Sequence, residues 1–228
     1  MIKIFIAVLL LGILVSFTLP VRKLISAKDL PLKLSVLKGR SKTLVIYCTG
    51  DGGWNKFSQK LTQEMEKEGF GVVTLNCRKY FRTKKTPDIF AKDIEYLLNH
   101  YMQEWGKTSA IIVGYSFGAD VAAFLPSRLP DSLLSKMNHI ALLSPSASTD
   151  FVINLRDLIG DSRYTRRKYK LRPELDQTTL PVVCIFGKNE DLKLKNTLQE
   201  NEGLTIHVLP GSHNYKDDTA LIVKMIDL

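Results

Sequence analysis

Six short runs rich in Val, Ile and Leu (43 to 48, 71 to 76, 109 to 113, 138 to 144, 181 to 186 and 204 to 208) are each too uniformly apolar for a strand with one wet face. Such runs suit strands buried on both faces. Helical patterns lie between or after them, at about 55 to 68, 87 to 104, 117 to 125 and 216 to 227. Buried strands alternating with helices predict an α/β fold, with a mostly parallel sheet and helices on both faces. Ahead of these, Leu32, Leu34 and Val36 alternate with Lys33 and Ser35, the pattern of an edge strand. The irregular stretch from about 146 to 178 reads as a small cap inserted over the carboxyl ends of the strands, where open α/β sheets bind ligands. A chain of 228 residues that is 45% hydrophobic and 24% charged makes one globular domain, which excludes disordered, collagen-like and coiled-coil classes.

Lys3 precedes an apolar run from Ile4 to about Leu19, followed by Pro20, Arg22 and Lys23. This reads as an export signal over residues 1 to 27, either cleaved or kept as a membrane anchor, with the folded domain at 28 to 228. Cys48, Cys77 and Cys184 fall in or beside apolar runs at spacings that suit neither a disulfide framework nor a zinc site, and are expected as buried thiols. No metal or organic cofactor is implied.

Gly114-Tyr115-Ser116-Phe117-Gly118 comes directly after one apolar run and directly before a helical pattern. That is the context of a nucleophile elbow, in which a serine sits on a strained turn and glycines let strand and helix approach. An elbow on this fold predicts an α/β-hydrolase. The hydroxyl needs a base oriented by an acid. His100 falls in a predicted helix, and His139 and His207 in apolar runs, whereas His213 lies in a loop between the last strand and the last helix. The acid is expected after the preceding strand, where register from Gly187 favours Glu190 and residue type favours Asp191. For the oxyanion, the expected donors are the N–H groups of Phe117 and of Asp51, the latter within Thr49-Gly50-Asp51-Gly52-Gly53-Trp54. Gly50, Gly52, Trp54 and Tyr115 are expected to border the substrate. No nucleotide-binding fingerprint is present.

The strings CTGDGGWNKF, LNCRKYFRTKKTPD and GYSFGAD, with LPGSH near the end, resemble the VirJ/AcvB family of exported bacterial virulence-associated proteins with an α/β-hydrolase fold. The likeness runs from about Leu44 to the C-terminus. It implies hydrolysis of aminoacylated phosphatidylglycerol, notably the lysyl form, on the periplasmic side of the inner membrane, with Ser116 as nucleophile and His213 as base. On that reading the basic and aromatic loop containing Arg78, Lys79, Tyr80, Arg82 and Lys84 holds the lipid phosphate while its aromatics sit at headgroup level, and the cap stretch Arg163 to Arg172 adds positive charge towards the membrane. Asp51, Asp120 and Asp150 are candidate partners for the lysyl ammonium.

The net charge of +9 suits an anionic partner. An aminoacylated anionic phospholipid at the membrane surface fits it, and nucleic acid does not, because the basic residues are split between two loops of a catalytic fold. Two rivals stand beside this reading. One is a general exported esterase, lipase or thioesterase using the same residues. The other is a non-catalytic adaptor that keeps the fold and contacts envelope or secretion proteins.

Overall fold

The computed structural model describes residues 26–35, 41–153 and 167–226, so the proposed leader, apart from Ser26 and Ala27, lies outside the described residues, as does Val36 of the edge-strand pattern. Strands β1 (Leu32–Ser35), β2 (Thr43–Cys48), β3 (Gly71–Leu75), β4 (Ser109–Tyr115), β5 (Met137–Leu143), β8 (Val182–Gly187) and β9 (Leu204–Leu209) form one sheet in the order β1-β3-β2-β4-β5-β8-β9. Only β1 runs antiparallel, against β3; every other pairing is parallel. The cap includes a two-stranded ribbon, β6 (Ser148–Thr149) with β7 (Tyr169–Lys170), which leads into α6 (Leu171–Gln177). Residues 154 to 166 of the cap lie outside the described residues, Arg163 and Arg166 with them.

Alternation along each central strand divides the core in two. Leu44, Ile46 and Cys48 of β2 face one apolar cluster, while Val45 and Tyr47 face the other. Phe90, Ile94, Leu97 and Leu98 of α3 (Pro87–Glu104) fill the first side together with α4 (Phe117–Ala122). Leu61 and Met65 of α1 (Lys56–Lys67) and Ile222 and Ile226 of α7 (Thr219–Ile226) fill the second. Helix starts are capped as their sequences suggest: the Asn55 side chain accepts from Ser58 N–H, and the Thr86 side chain accepts from Ile89 N–H ahead of Pro87. Cys48, Cys77 and Cys184 are buried free thiols.

Two local expectations are corrected. β9 is half-exposed rather than buried on both faces, with Val208 52% accessible, because among the described residues it is the outermost strand and has no neighbour on its far side. The run at 71 to 76 ends at Leu75, because Asn76 turns out of the sheet to cap a short helix, α2 (Cys77–Tyr80), accepting from Lys79 N–H.

Candidate active site

Ser116 occupies the turn between β4 and α4 at φ 54° and ψ −121°, a conformation that a non-glycine residue holds only under constraint from its surroundings. The constraint is visible in the flanking glycines. A Cβ on Gly118 would lie 2.1 Å from the carbonyl oxygen of Cys48, and one on Gly114 would lie 2.5 Å from Cα of Ala119. Both contacts are backbone against side chain, so neither can be relieved by a rotamer change.

The Thr49–Trp54 loop leaves β2 beside this turn. Gly53 N–H donates to Gly50 C=O, which closes a tight turn with Asp51 and Gly52 at its tip. Gly50 faces Ser116, since a Cβ there would stand 3.3 Å from Cβ of Ser116. The amide N–H groups of Phe117 and Asp51 donate to no acceptor among the described residues.

A cavity of about 900 Å³ opens over the elbow, and Asp51, Ser116, Phe117, Asp120, Ser144 and His213 all line it. His213 comes from the loop after β9, in which Leu209 is followed by Pro210 and Gly211. Tyr115 OH donates to the His213 carbonyl at 3.1 Å, and Nδ1 of His213 meets Oε1 of Glu190 at 2.6 Å. Gly187, which ends β8, permits the two loops to approach: a Cβ there would be 2.4 Å from Ser212 C=O.

Glu190 is held on its other oxygen as well. Oε2 accepts from Gly187 N–H at 2.6 Å and from Ser144 Oγ at 2.8 Å. Tyr215 OH donates to the Ile185 carbonyl at 2.9 Å and also contacts Ser144 Oγ, which ties the serine to the end of the neighbouring strand. Burial raises the Glu190 carboxyl, but the hydrogen bonds from His213, Gly187 and Ser144 outweigh it and leave it below the ordinary carboxylate range. The turn behind it is pinned by Lys195, whose Nζ donates to the carbonyls of Gly187, Lys188 and Glu190 at 2.8, 2.8 and 3.1 Å. Asp191 is exposed on the cavity wall, so of the two acids it is Glu190 that His213 meets.

Asp120 is 3% exposed. Its oxygens accept from Ser146 N–H and Ser146 Oγ at 2.6 and 2.7 Å, and Arg167 approaches to 3.7 Å. Burial pushes its carboxyl up to about 6 in spite of those partners. Asp150 accepts from Lys168 N–H at 3.0 Å and is not on the cavity wall.

Several expected substrate contacts are placed elsewhere. Tyr80 is buried and its OH donates to Asp93, while Phe81 is fully buried against Phe90, Phe117 and Phe151; these rings fill the core and do not reach a headgroup. Tyr115 is buried, with its OH on the His213 carbonyl, so it holds the base loop and lies off the cavity wall among the described residues. Trp54 is half-exposed and Arg78, Lys79, Arg82 and Lys84 are exposed, all off the cavity wall among the described residues. Arg78 still flanks the Gly-rich loop, within 3.1 Å of where a Cβ on Gly53 would stand. The cations that do line the cavity are Arg167, Lys170 and Arg172 of the cap and Lys193 of the acid loop. Ser144, Lys195 and Tyr215 went unread in the sequence. The residue after β5 and the residues flanking each functional loop were the places to look for them.

Solved structures share this fold. A lipase-esterase related protein from Clostridium acetobutylicum ATCC 824 aligns with a TM-score of 0.60 at 16% identity, covering 86% of this chain and 99% of that one. Est1E from Butyrivibrio proteoclasticus, with ferulic acid bound, aligns at 0.63 and 13% identity over 89% and 95% of the two chains. Proline iminopeptidase from Mycobacterium smegmatis aligns at 0.61 and 12% identity over 86% and 93%. No curated protein matches the chain. Residues 42–227 match the family described as bacterial virulence protein (VirJ), and the α/β-hydrolase fold is the one implied by the resemblance. The chain belongs to the VirJ family.

Proposed function

We propose that the protein is an exported serine hydrolase that cleaves the aminoacyl ester of an aminoacylated anionic phospholipid such as lysyl-phosphatidylglycerol. The observation that carries the reading is the sharing of one cavity by Ser116 and His213, with Glu190 on Nδ1 of that histidine. Contact at Nδ1 leaves Nε2 as the nitrogen free to take a proton. In the proposed reaction Nε2 removes the Ser116 proton, Oγ attacks the ester carbonyl, and the N–H groups of Phe117 and Asp51 hold the oxyanion. His213 then protonates the departing glycerol oxygen, and water, activated by the same histidine, releases the amino acid from Ser116.

The leaving alcohol carries a phosphodiester, and Lys170 and Lys193 offer it two cavity-lining ammonium groups with no ion-pair partner among the described residues. Arg172 is already engaged by Asp176 and the Thr197 carbonyl. The exposed basic residues Arg78, Lys79, Arg82 and Lys84 beside the Gly-rich loop would favour approach to an anionic surface. Action on the periplasmic face of the inner membrane, after export by residues 1 to 27, belongs to the same proposal. Ser116→Ala should abolish lysine release from lysyl-phosphatidylglycerol in mixed micelles while the protein stays folded; retained turnover refutes the assignment. The esterases among the similar solved structures favour a broader second reading, a general carboxylic ester hydrolase. Screening p-nitrophenyl esters beside aminoacyl lipids separates the two.

A further inference from the structure

Asp51 lines the cavity with Ser116, and its side chain has neither a hydrogen bond nor an ion pair with any described residue. Chemically this is an unfavourable position for a lone carboxylate. Its own N–H is one of the two amides assigned above to the oxyanion, and a side-chain carboxyl carbon stands only about 3 to 4 Å from the nitrogen of its own residue. Negative charge there opposes the negative charge that develops on the ester oxygen. A plain acyl ester leaves that opposition uncompensated. An aminoacyl ester brings its own compensation, because the α-nitrogen lies about 2.5 Å from the carbonyl carbon and arrives as an ammonium.

The other two acids considered for this task are occupied. Asp120 spends its oxygens on Ser146 and lies against Arg167, and Asp150 accepts from Lys168 N–H and stands off the cavity wall. We propose that Asp51 is the specificity-determining residue of the site, accepting the substrate's α-ammonium through its carboxylate while its amide faces the oxyanion. Selection then has two parts: attraction for aminoacyl esters and repulsion of the transition state for acyl esters that lack the amine. The proposal rests on the aminoacyl-ester reading above, and it names the α-ammonium, which every aminoacyl ester carries, rather than the lysine side chain.

The test compares lysyl- and 6-aminohexanoyl-phosphatidylglycerol, which differ only in the α-ammonium, with the full-length wild type and Asp51→Asn. Asparagine keeps the backbone amide and the size of the side chain. The ratio of kcat/KM for the two esters cancels any loss common to both, including a lower folded fraction. It should fall by about 10- to 100-fold in the variant, the range for one charge-assisted hydrogen bond, with the lysyl ester losing rate and the 6-aminohexanoyl ester gaining it. A wild-type preference that survives unchanged in Asp51→Asn overturns the assignment of Asp51 alone. Wild-type protein that cleaves neither ester overturns the aminoacyl-lipid reading itself.

Discussion

Oε1 of Glu190 stands 2.6 Å from Nδ1 of His213, with the acid side chain 5% exposed and the imidazole 49% exposed. The shielded partner is the acid, so the orienting charge is fixed while the histidine faces the cavity. If that contact orients the base, Glu190→Gln should lower kcat by about 10³- to 10⁴-fold, as loss of an orienting carboxylate does elsewhere. Asp191→Asn should stay within a few-fold of wild type. Steady-state kinetics on both variants decides it, and the reverse ranking would transfer the role to Asp191.

Lys195 has three donors and uses all of them on the turn that carries Glu190. Lys195→Met should reduce kcat about tenfold with little change in KM. It should also weaken or remove the downfield proton resonance of the His213–Glu190 hydrogen bond. A variant that loses thermal stability but keeps that resonance and its kcat would make Lys195 a purely structural residue.

The elbow tolerates no side chain at Gly118. An alanine there drives a methyl group to 2.1 Å from Cys48 C=O and 2.5 Å from Thr49 C=O. Gly118→Ala should destabilise the fold by about 3 kcal/mol or more. At Gly106 a Cβ would meet nothing within 4 Å, and only the φ of +61° opposes it, so Gly106→Ala should cost about 1 kcal/mol. Chemical denaturation of the two variants gives the comparison, and equal costs would contradict the packing argument.

Asp120 makes stability depend on pH. With its carboxyl raised to about 6 by burial, the folded protein keeps a proton that the unfolded chain has released above about pH 4. The residue's contribution is therefore most favourable below that point and falls as the pH rises through 6. The stability difference between wild type and Asp120→Asn should shift against wild type by roughly 1 to 3 kcal/mol between pH 4 and pH 7. Thermal unfolding across that range measures it, and a flat difference would contradict the burial argument.

The fold and the placing of Ser116, Glu190 and His213 were legible because each depends on short-range pattern. The bounds of α3 follow from Thr86, Pro87 and an apolar stripe, and the elbow from two glycines around a serine between a strand and a helix. Register from Gly187 also favours Glu190, the acid that meets His213, because the Gly187 N–H and the Glu190 carboxylate close one turn. What failed depended on composition. Arg78, Lys79 and Arg82 made the surrounding loop read as a surface patch, yet Cys77, Tyr80 and Phe81 repeat at helical spacing and face inward. β9 carries the same apolar residues as a central strand, and only the sheet order reveals that it is an edge. Ser144 and Lys195 act through contacts across 46 and 5 to 8 residues with the acid turn, which no local pattern reports.

Active-site labelling tests the central claim most directly. A fluorophosphonate probe reacts with a serine only when a base activates it and donors hold the developing oxyanion. Mass spectrometry of the labelled wild-type protein should place the adduct on Ser116, and labelling should disappear in His213→Ala although that variant remains folded. An unlabelled wild type, or equal labelling with and without His213, would contradict the account.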